Sequence, residues 1–376
     1  MTITELKAIM LCEGIDADPV AEELFRRQNP SNVKRGGLSS GAKMELVRES
    51  WKGAHGWFPE LRLSVNAPLY RVREADVKVV ATEPDTRDLT VYHKGKFVMR
   101  AKALPAPTWY GQKVDCFDIT QILTKHGTQL AGAVYEDCAL FGINEACRFC
   151  VINRSLKDKT PKLVLKSGDL FINALNKIPA EDYAGLSLNG GMTTHLGRGM
   201  ELISPVVNRI NRAYPKLPIA VEITPPEDLT WIGRLADAGV SSIMMNMECW
   251  DPEIRAQLIP GKSKYCTREM YLKAFRYALK ILGPGRVTTC FIVGTEPVAS
   301  LKSGITEVID MGVIPSPLAG RYFEDVPDYP FVPNTYWREF LEIIRFTKDA
   351  LGRGHISSTD KAGCVACGMC DMIGNL

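Results

Sequence analysis

From Ala131 onward, short apolar runs alternate with longer stretches in which apolar residues return every three or four positions. This is the pattern of a parallel sheet covered by helices. Strands are predicted over 130–135, 185–188, 219–223, 242–247, 287–293 and 313–315, with helices between them over 200–213, 226–238, 267–282 and 300–311. Within the second of these helices, Leu229, Ile232 and Leu235 keep helical spacing, and Gly239 follows where a helix C-terminus favours glycine. Six βα units predict an α/β protein built on a partial (βα)6 TIM-type barrel, shorter than the eight units of a full one.

The texture before Ala131 differs. Residues 1–16 read as a short helix ending at Gly14, 28–45 are polar and contain glycine, and 60–101 read as short strands. The 90–100 segment is a predicted hairpin with Lys94 and Gly95 at its turn. The expected organisation is a small N-terminal β-rich subdomain over 1–129, a barrel over 130–353 and a C-terminal tail over 354–376. The subdomain would either lid the barrel mouth or cover its edge. A last amphipathic helix is predicted over 335–352, with Tyr336, Phe340, Ile343, Ile344 and Leu351 on one side. The tail is too short to bury a core of its own, so a bound cluster would staple it to the barrel.

Composition narrows the function classes. With 376 residues, 45% hydrophobic and 24% charged, the chain is an ordinary globular one. Lys plus Arg number 46 against 43 Asp plus Glu, so neither nucleic acid nor an acidic membrane surface is an expected partner. No apolar run approaches the roughly 18 residues of a membrane span. The opening MTITELK shows no charged-then-apolar leader, and a cytoplasmic, reducing location is expected.

More than half of the 11 cysteines fall into two groups. Cys138, Cys147 and Cys150 are spaced C-x8-C-x2-C, one thiolate on an excursion and two on a tight turn. Val151 after Cys150 does not suit haem attachment, and a zinc site would want a fourth ligand closer than His195. A four-iron cluster held by three thiolates, with one iron open, fits better. Cys364, Cys367 and Cys370 form the C-x2-C-x2-C run of bacterial ferredoxins without its fourth cysteine. A disulfide or buried-thiol set is the alternative. Cys249 and Cys290 read as buried small hydrophobes. Cys12 and Cys116 are isolated, though either would serve as a missing fourth ligand. None of the histidines shows metal-binding spacing, and the aromatic 51–58 stretch reads as packing or a channel lining.

A three-cysteine group just after the first strand of a six-unit βα chain resembles the radical S-adenosylmethionine (radical SAM) superfamily, although most of that superfamily spaces its cysteines C-x3-C-x2-C. The Lys361 to Cys370 stretch, Lys-Ala-Gly-Cys-x-x-Cys-Gly-x-Cys, is similar to the tail of its biotin-synthase-related branch, which includes archaeal-type lipoyl synthases and proteins of nitrilase gene clusters. The likeness covers Ala131 onward and fades before it. It implies two [4Fe-4S] clusters, with S-adenosylmethionine on the open iron of the first. It also implies that Phe149 lies by the adenine. Asn189, Gly190 and Gly191 would stand at the strand edge that receives the methionine amino group, although Met192 replaces the acidic residue usual there. By the same resemblance Asn246 and Glu248 face the ribose, Arg255 the methionine carboxylate, Glu222 the mouth of the third strand and Ile292 the adenine. The Gly-x-Ile-x-Gly-x-x-Glu pattern of the fifth strand is only partly kept, since Cys290 replaces its first glycine and Glu296 comes one residue early.

The implied chemistry is hydrogen abstraction from an aliphatic carbon by a 5′-deoxyadenosyl radical, fed by a reductant such as ferredoxin or flavodoxin. The substrate would be a small molecule or a carrier-bound acyl group. Three readings stay open. The first is sulfur insertion from the tail cluster, as in lipoyl and biotin synthases. The second is C–C cleavage or rearrangement of a small amine or acid with a lasting tail cluster. The third is a non-catalytic iron–sulfur or zinc protein.

Overall fold

The computed structural model describes residues 1–28, 41–53, 56–58, 60–70, 75–83, 86–152, 162–320, 336–357 and 362–373. His55, Lys361 and most of the polar 28–45 stretch therefore lie outside the described residues.

The C-terminal two thirds are organised by one sheet. A short antiparallel edge strand, Thr124–His126, precedes six parallel strands that follow one another across the sheet in chain order: Gln129–Tyr135, Gly185–Gly190, Ile219–Glu222, Ser242–Met244, Val287–Val293 and Ile314–Ala319. The first and last parallel strands do not pair, so the sheet stays open.

Register separates the two faces. On one, Leu130, Leu186 and Ile219 are level, as are Leu188, Val221, Ile243 and Val287. All are buried, and the amphipathic helices Met200–Ala213, Thr230–Ala238, Arg268–Leu282 and Val298–Asp310 belong to the same apolar core. On the other face Ala131, Ser187, Ala220 and Ser242 are level, and then Ala133, Asn189, Glu222, Met244 and Thr288. Small and polar side chains leave room on this face, and their alternation with the apolar rows follows from the two-residue period of a strand.

Element limits depart from the sequence pattern in instructive places. The fourth strand stops at Met244 instead of 247. Beyond it Met247 N donates to Thr289 Oγ1 at 3.0 Å, and Glu248, at φ +68°, makes only an isolated bridge to Phe291. The sixth strand runs on to Ala319 through Pro315 and Pro317. It is an edge strand, where proline costs the ladder little. The helix expected from 226 starts at Thr230.

The N-terminal part is a mixed seven-stranded sheet with helices Ile3–Glu13 and Pro19–Gln28. Thr2 and Glu5 close the first helix in a reciprocal capping box, and Gly14 ends it at φ +75°. Asp88–His93 and Lys96–Ala103 form the hairpin, with Lys94 (φ 50°) and Gly95 (φ 75°) as its two turn residues. This part reaches both ends of the open sheet. Ile3–Glu13 packs on the last long helix, Trp337–Arg353, while Lys43 Nζ donates to the Lys125 carbonyl of the edge strand at 3.2 Å.

Among the described residues no helix is long and apolar enough to cross a membrane.

Candidate active site

The loop after the first parallel strand carries Cys138, Cys147 and Cys150. Cys150 N closes a tight turn on the Cys147 carbonyl at 3.0 Å, and Cys138 N is held by Asp137 Oδ1 at 2.7 Å. Backbone packing fixes the loop from two sides. A Cβ on Gly191 would lie 1.8 Å from the Asp137 carbonyl oxygen and 2.8 Å from Cys138 Cβ, so only glycine fits. On the other side Gly261 N donates to the Glu145 carbonyl at 2.9 Å, and Arg148 N to that of Leu258 at 2.9 Å.

The segment after the fourth strand faces this loop. Glu248 is buried, and its Oε1 accepts from Lys262 Nζ at 2.8 Å. Burial works against the Lys262 charge, but Glu248, Tyr271 and Cys147 outweigh it and raise the ammonium well above its ordinary pKa. Among the described residues, Glu248 Oε2 and Asn246 Oδ1 are buried without a hydrogen-bond partner. An orphaned buried acceptor costs about 1–3 kcal/mol, and acceptors at positions 246 and 248, two residues apart in the chain, suit a ligand with paired hydroxyl donors.

Arg255 departs from its expected role. Its guanidinium donates to the Met247, Cys249 and Cys266 carbonyls at 2.7, 3.0 and 3.2 Å and is only 3% exposed. It ties the loop together and does not face an open site. Glu296 is similarly engaged, accepting from Trp250 N, Asp251 N and Ser300 Oγ. Met192 occupies the place of the expected acid: its carbonyl holds Ala139 N at 2.8 Å, beside Cys138.

The tail runs along the small-residue face of the parallel sheet. A Cβ on Gly363 would lie 3.2 Å from Ala220 Cβ, and Cys364 Sγ donates to Glu222 Oε1 at 3.0 Å. Asp371 takes the Ser316 hydroxyl, and Cys367 Sγ donates to the His126 carbonyl at 3.3 Å. Burial raises Glu222 above the usual carboxylate range despite bonds from Cys364 and Ser187. Met244, Cys290 and Ile292 form a small cluster against which both Phe149, from the first cysteine loop, and Cys364, from the tail, are packed. Asn189 is half-buried on the same face, level with Glu222, and Gly190 pairs with Tyr135. Cys249 and Cys290 are buried, the former with Leu258 and Ile259.

Six cysteines thus gather in two trios that approach one small cluster of Met244, Cys290 and Ile292. Burial raises the Cys147 and Cys364 thiols well above their ordinary pKa and pushes Cys150 to about 11 and Cys367 to about 12. Metal binding at either trio must therefore displace protons. Among the described residues, neither trio has all three sulfurs within 4.8 Å of one another. Thiolates on one tetrahedral zinc stand about 3.8 Å apart, from Zn–S bonds of about 2.3 Å. An iron–sulfur cube gives each thiolate its own iron, and three thiols are a donor set that suits such a cluster. Among the described residues, the trio of metal-type side chains that does meet the distance is Glu13, at the end of the first helix, with Asp76 and His93, and Lys94 Nζ already stands 3.5 Å from Asp76.

Sequence reasoning missed Lys262, Lys7 and Asn66. Only the last-turn lysines of 260–265 hinted at the first; the other two have no local signal.

No protein-family model matches the chain. Over 127 residues it is 32% identical to a bacteriochlorophyllide c C-7(1)-hydroxylase of Chlorobaculum limnaeum, an alignment spanning 32% of this chain and 31% of that one. Methylornithine synthase (PylB) superposes with a TM-score of 0.46 at 13% identity, over 64% of this chain and 69% of the other. A radical SAM methyltransferase from Sphaerobacter thermophilus superposes at 0.45 and 14% identity, over 80% and 82%.

Proposed function

We propose that this chain is a radical SAM enzyme that abstracts hydrogen from an aliphatic carbon beside the small cluster that both cysteine trios approach. The observation that carries the reading is the meeting of Cys138, Cys147 and Cys150 with the orphaned acceptors of Asn246 and Glu248 at one end of a parallel sheet. In parallel βα folds, ligands gather at the C-terminal ends of the strands. When bound there, S-adenosylmethionine and a reduced four-iron cluster supply a 5′-deoxyadenosyl radical.

The chain's own residues do the rest. Asn246 and Glu248 receive the ribose hydroxyls, and Lys262 fixes the Glu248 carboxylate in place. Phe149 and Ile292 offer apolar surface for the adenine and, with Met244 and Cys290, keep water from the reacting carbon. The Met192 carbonyl already accepts from Ala139 N, so we assign the methionine amine to Asn189 and Gly190 at the end of the second parallel strand.

The position of Cys364 against the same small cluster as Phe149 supports a tail cluster that meets the substrate, and with it sulfur insertion. The partial likeness to a hydroxylase favours a second reading, in which the tail cluster lasts and no sulfur is transferred. Counting turnovers separates them. One product per chain, with matching loss of tail-cluster sulfide, supports insertion. Many turnovers with both clusters intact support the second reading.

A further inference from the structure

The tail's cysteines are surrounded from outside the barrel. Lys7, on the first helix of the chain, is fully buried, and its Nζ donates to the Gly368 carbonyl at 2.9 Å and to that of Asp371 at 3.1 Å. Gly368 and Asp371 flank the Cys367 to Cys370 turn. Asn66, also fully buried, directs Nδ2 to Cys370 Sγ at 3.7 Å and donates its backbone N–H to the Met369 carbonyl at 3.2 Å. Lys43, 5% exposed, comes from the same N-terminal sheet. Its Nζ donates to the Lys125 carbonyl at 3.2 Å, next to His126, whose carbonyl accepts from Cys367 Sγ at 3.3 Å.

Lys7, which also faces the buried Asp371 carboxylate, Lys43 and the Asn66 amide N–H directed at sulfur bring positive charge and a donor to the cysteine turn. Around three thiolates they become complementary. A four-iron cluster with three thiolate ligands carries net negative charge in both common oxidation states. Hydrogen bonds to its sulfurs and nearby positive charge are the protein's means of holding it and setting its potential.

We infer that the N-terminal β-rich part is a working piece of the tail cluster site, with Lys7, Lys43 and Asn66 positioning the Cys364, Cys367 and Cys370 loop and neutralising the cluster's charge. The inference rests on the reading of the tail as a cluster site. It gives the N-terminal 129 residues a task that neither a lid nor an edge cover would explain, because the contacts are made to the cysteine turn itself.

The test uses the full chain, reconstituted anaerobically, with iron and sulfide content, Mössbauer spectra and the midpoint potential of each cluster as readouts. Lys7→Met and Asn66→Leu should each speed loss of tail-cluster iron to a chelator by about tenfold or more. They should also move the tail cluster to lower potential and leave the first cluster unchanged. Lys7→Arg, which keeps the charge, should restore the potential. Wild-type retention and potential in Asn66→Leu and in any folded Lys7→Met would overturn the inference. Should Lys7→Met not fold, Asn66→Leu alone decides. A wild-type chain that holds only the cluster of Cys138, Cys147 and Cys150 would instead overturn the tail-cluster reading, and the inference with it.

Discussion

Lys262 Nζ stands 2.8 Å from Glu248 Oε1, with side-chain exposures of 13% and 8%. Removing one partner of so buried a pair leaves an uncompensated charge. Lys262→Met should destabilise the protein by about 3–5 kcal/mol, and the Lys262→Met, Glu248→Gln double variant by clearly less. Denaturant titrations around the cycle check this; additive losses would contradict it. Because the Lys262 pKa is raised on folding, the pair's contribution is complete below the ordinary lysine range and is lost only as pH rises past the raised value. Stability differences between wild type and the double variant should therefore be flat from neutrality to about pH 10.

Glu248 and Asn246 each present a buried acceptor with no partner. Asn246→Ala, and Glu248→Ala made in the Lys262→Met variant so that no buried charge is left unpaired, should weaken S-adenosylmethionine binding by about tenfold or more, with both clusters retained. Calorimetry on reconstituted protein reads the affinity and iron analysis the clusters. Unchanged affinity would remove these residues from the ribose site.

Gly190 and Gly191 are adjacent but not equivalent. A Cβ at Gly190 meets nothing nearer than 3.5 Å, whereas one at Gly191 falls 1.8 Å from the Asp137 carbonyl oxygen. Gly190→Ala should keep wild-type iron content. Gly191→Ala must push the Cys138 loop away and should lose the first cluster or fail to accumulate. Equal iron content in the two variants would contradict the packing argument.

How far the sequence speaks depends on how local the cause is. The turn at Lys94 and Gly95, the end of the first helix at Gly14 and the alternation of strands with helices after Ala131 were legible, because each follows from residues a few positions apart. The fourth strand was read too long because the apolar run of Met244, Met245 and Met247 continues after the ladder ends, where Thr289 takes over as acceptor. Arg255 looked free to meet a carboxylate, since nothing in the sequence shows three carbonyls turning toward it. Lys7 reaches Gly368 across 361 positions, and Cys364 reaches Glu222 across 142. Such contacts depend on how the tail lies in the sheet's hollow face, which no spacing encodes. Both cysteine trios were visible as groups, but that Phe149 of one loop and Cys364 of the tail pack on the same small cluster was not.

The central claim is that Cys138, Cys147 and Cys150 serve radical chemistry on S-adenosylmethionine. The most direct measurement is 5′-deoxyadenosine formed by the anaerobically reconstituted, reduced protein. Wild type should produce it, and so should the chain with Cys364, Cys367 and Cys370 all changed to Ala. The chain with Cys138, Cys147 and Cys150 changed to Ala should produce none. Absence of 5′-deoxyadenosine from fully loaded wild type, or its undiminished formation without the first trio, would contradict the account.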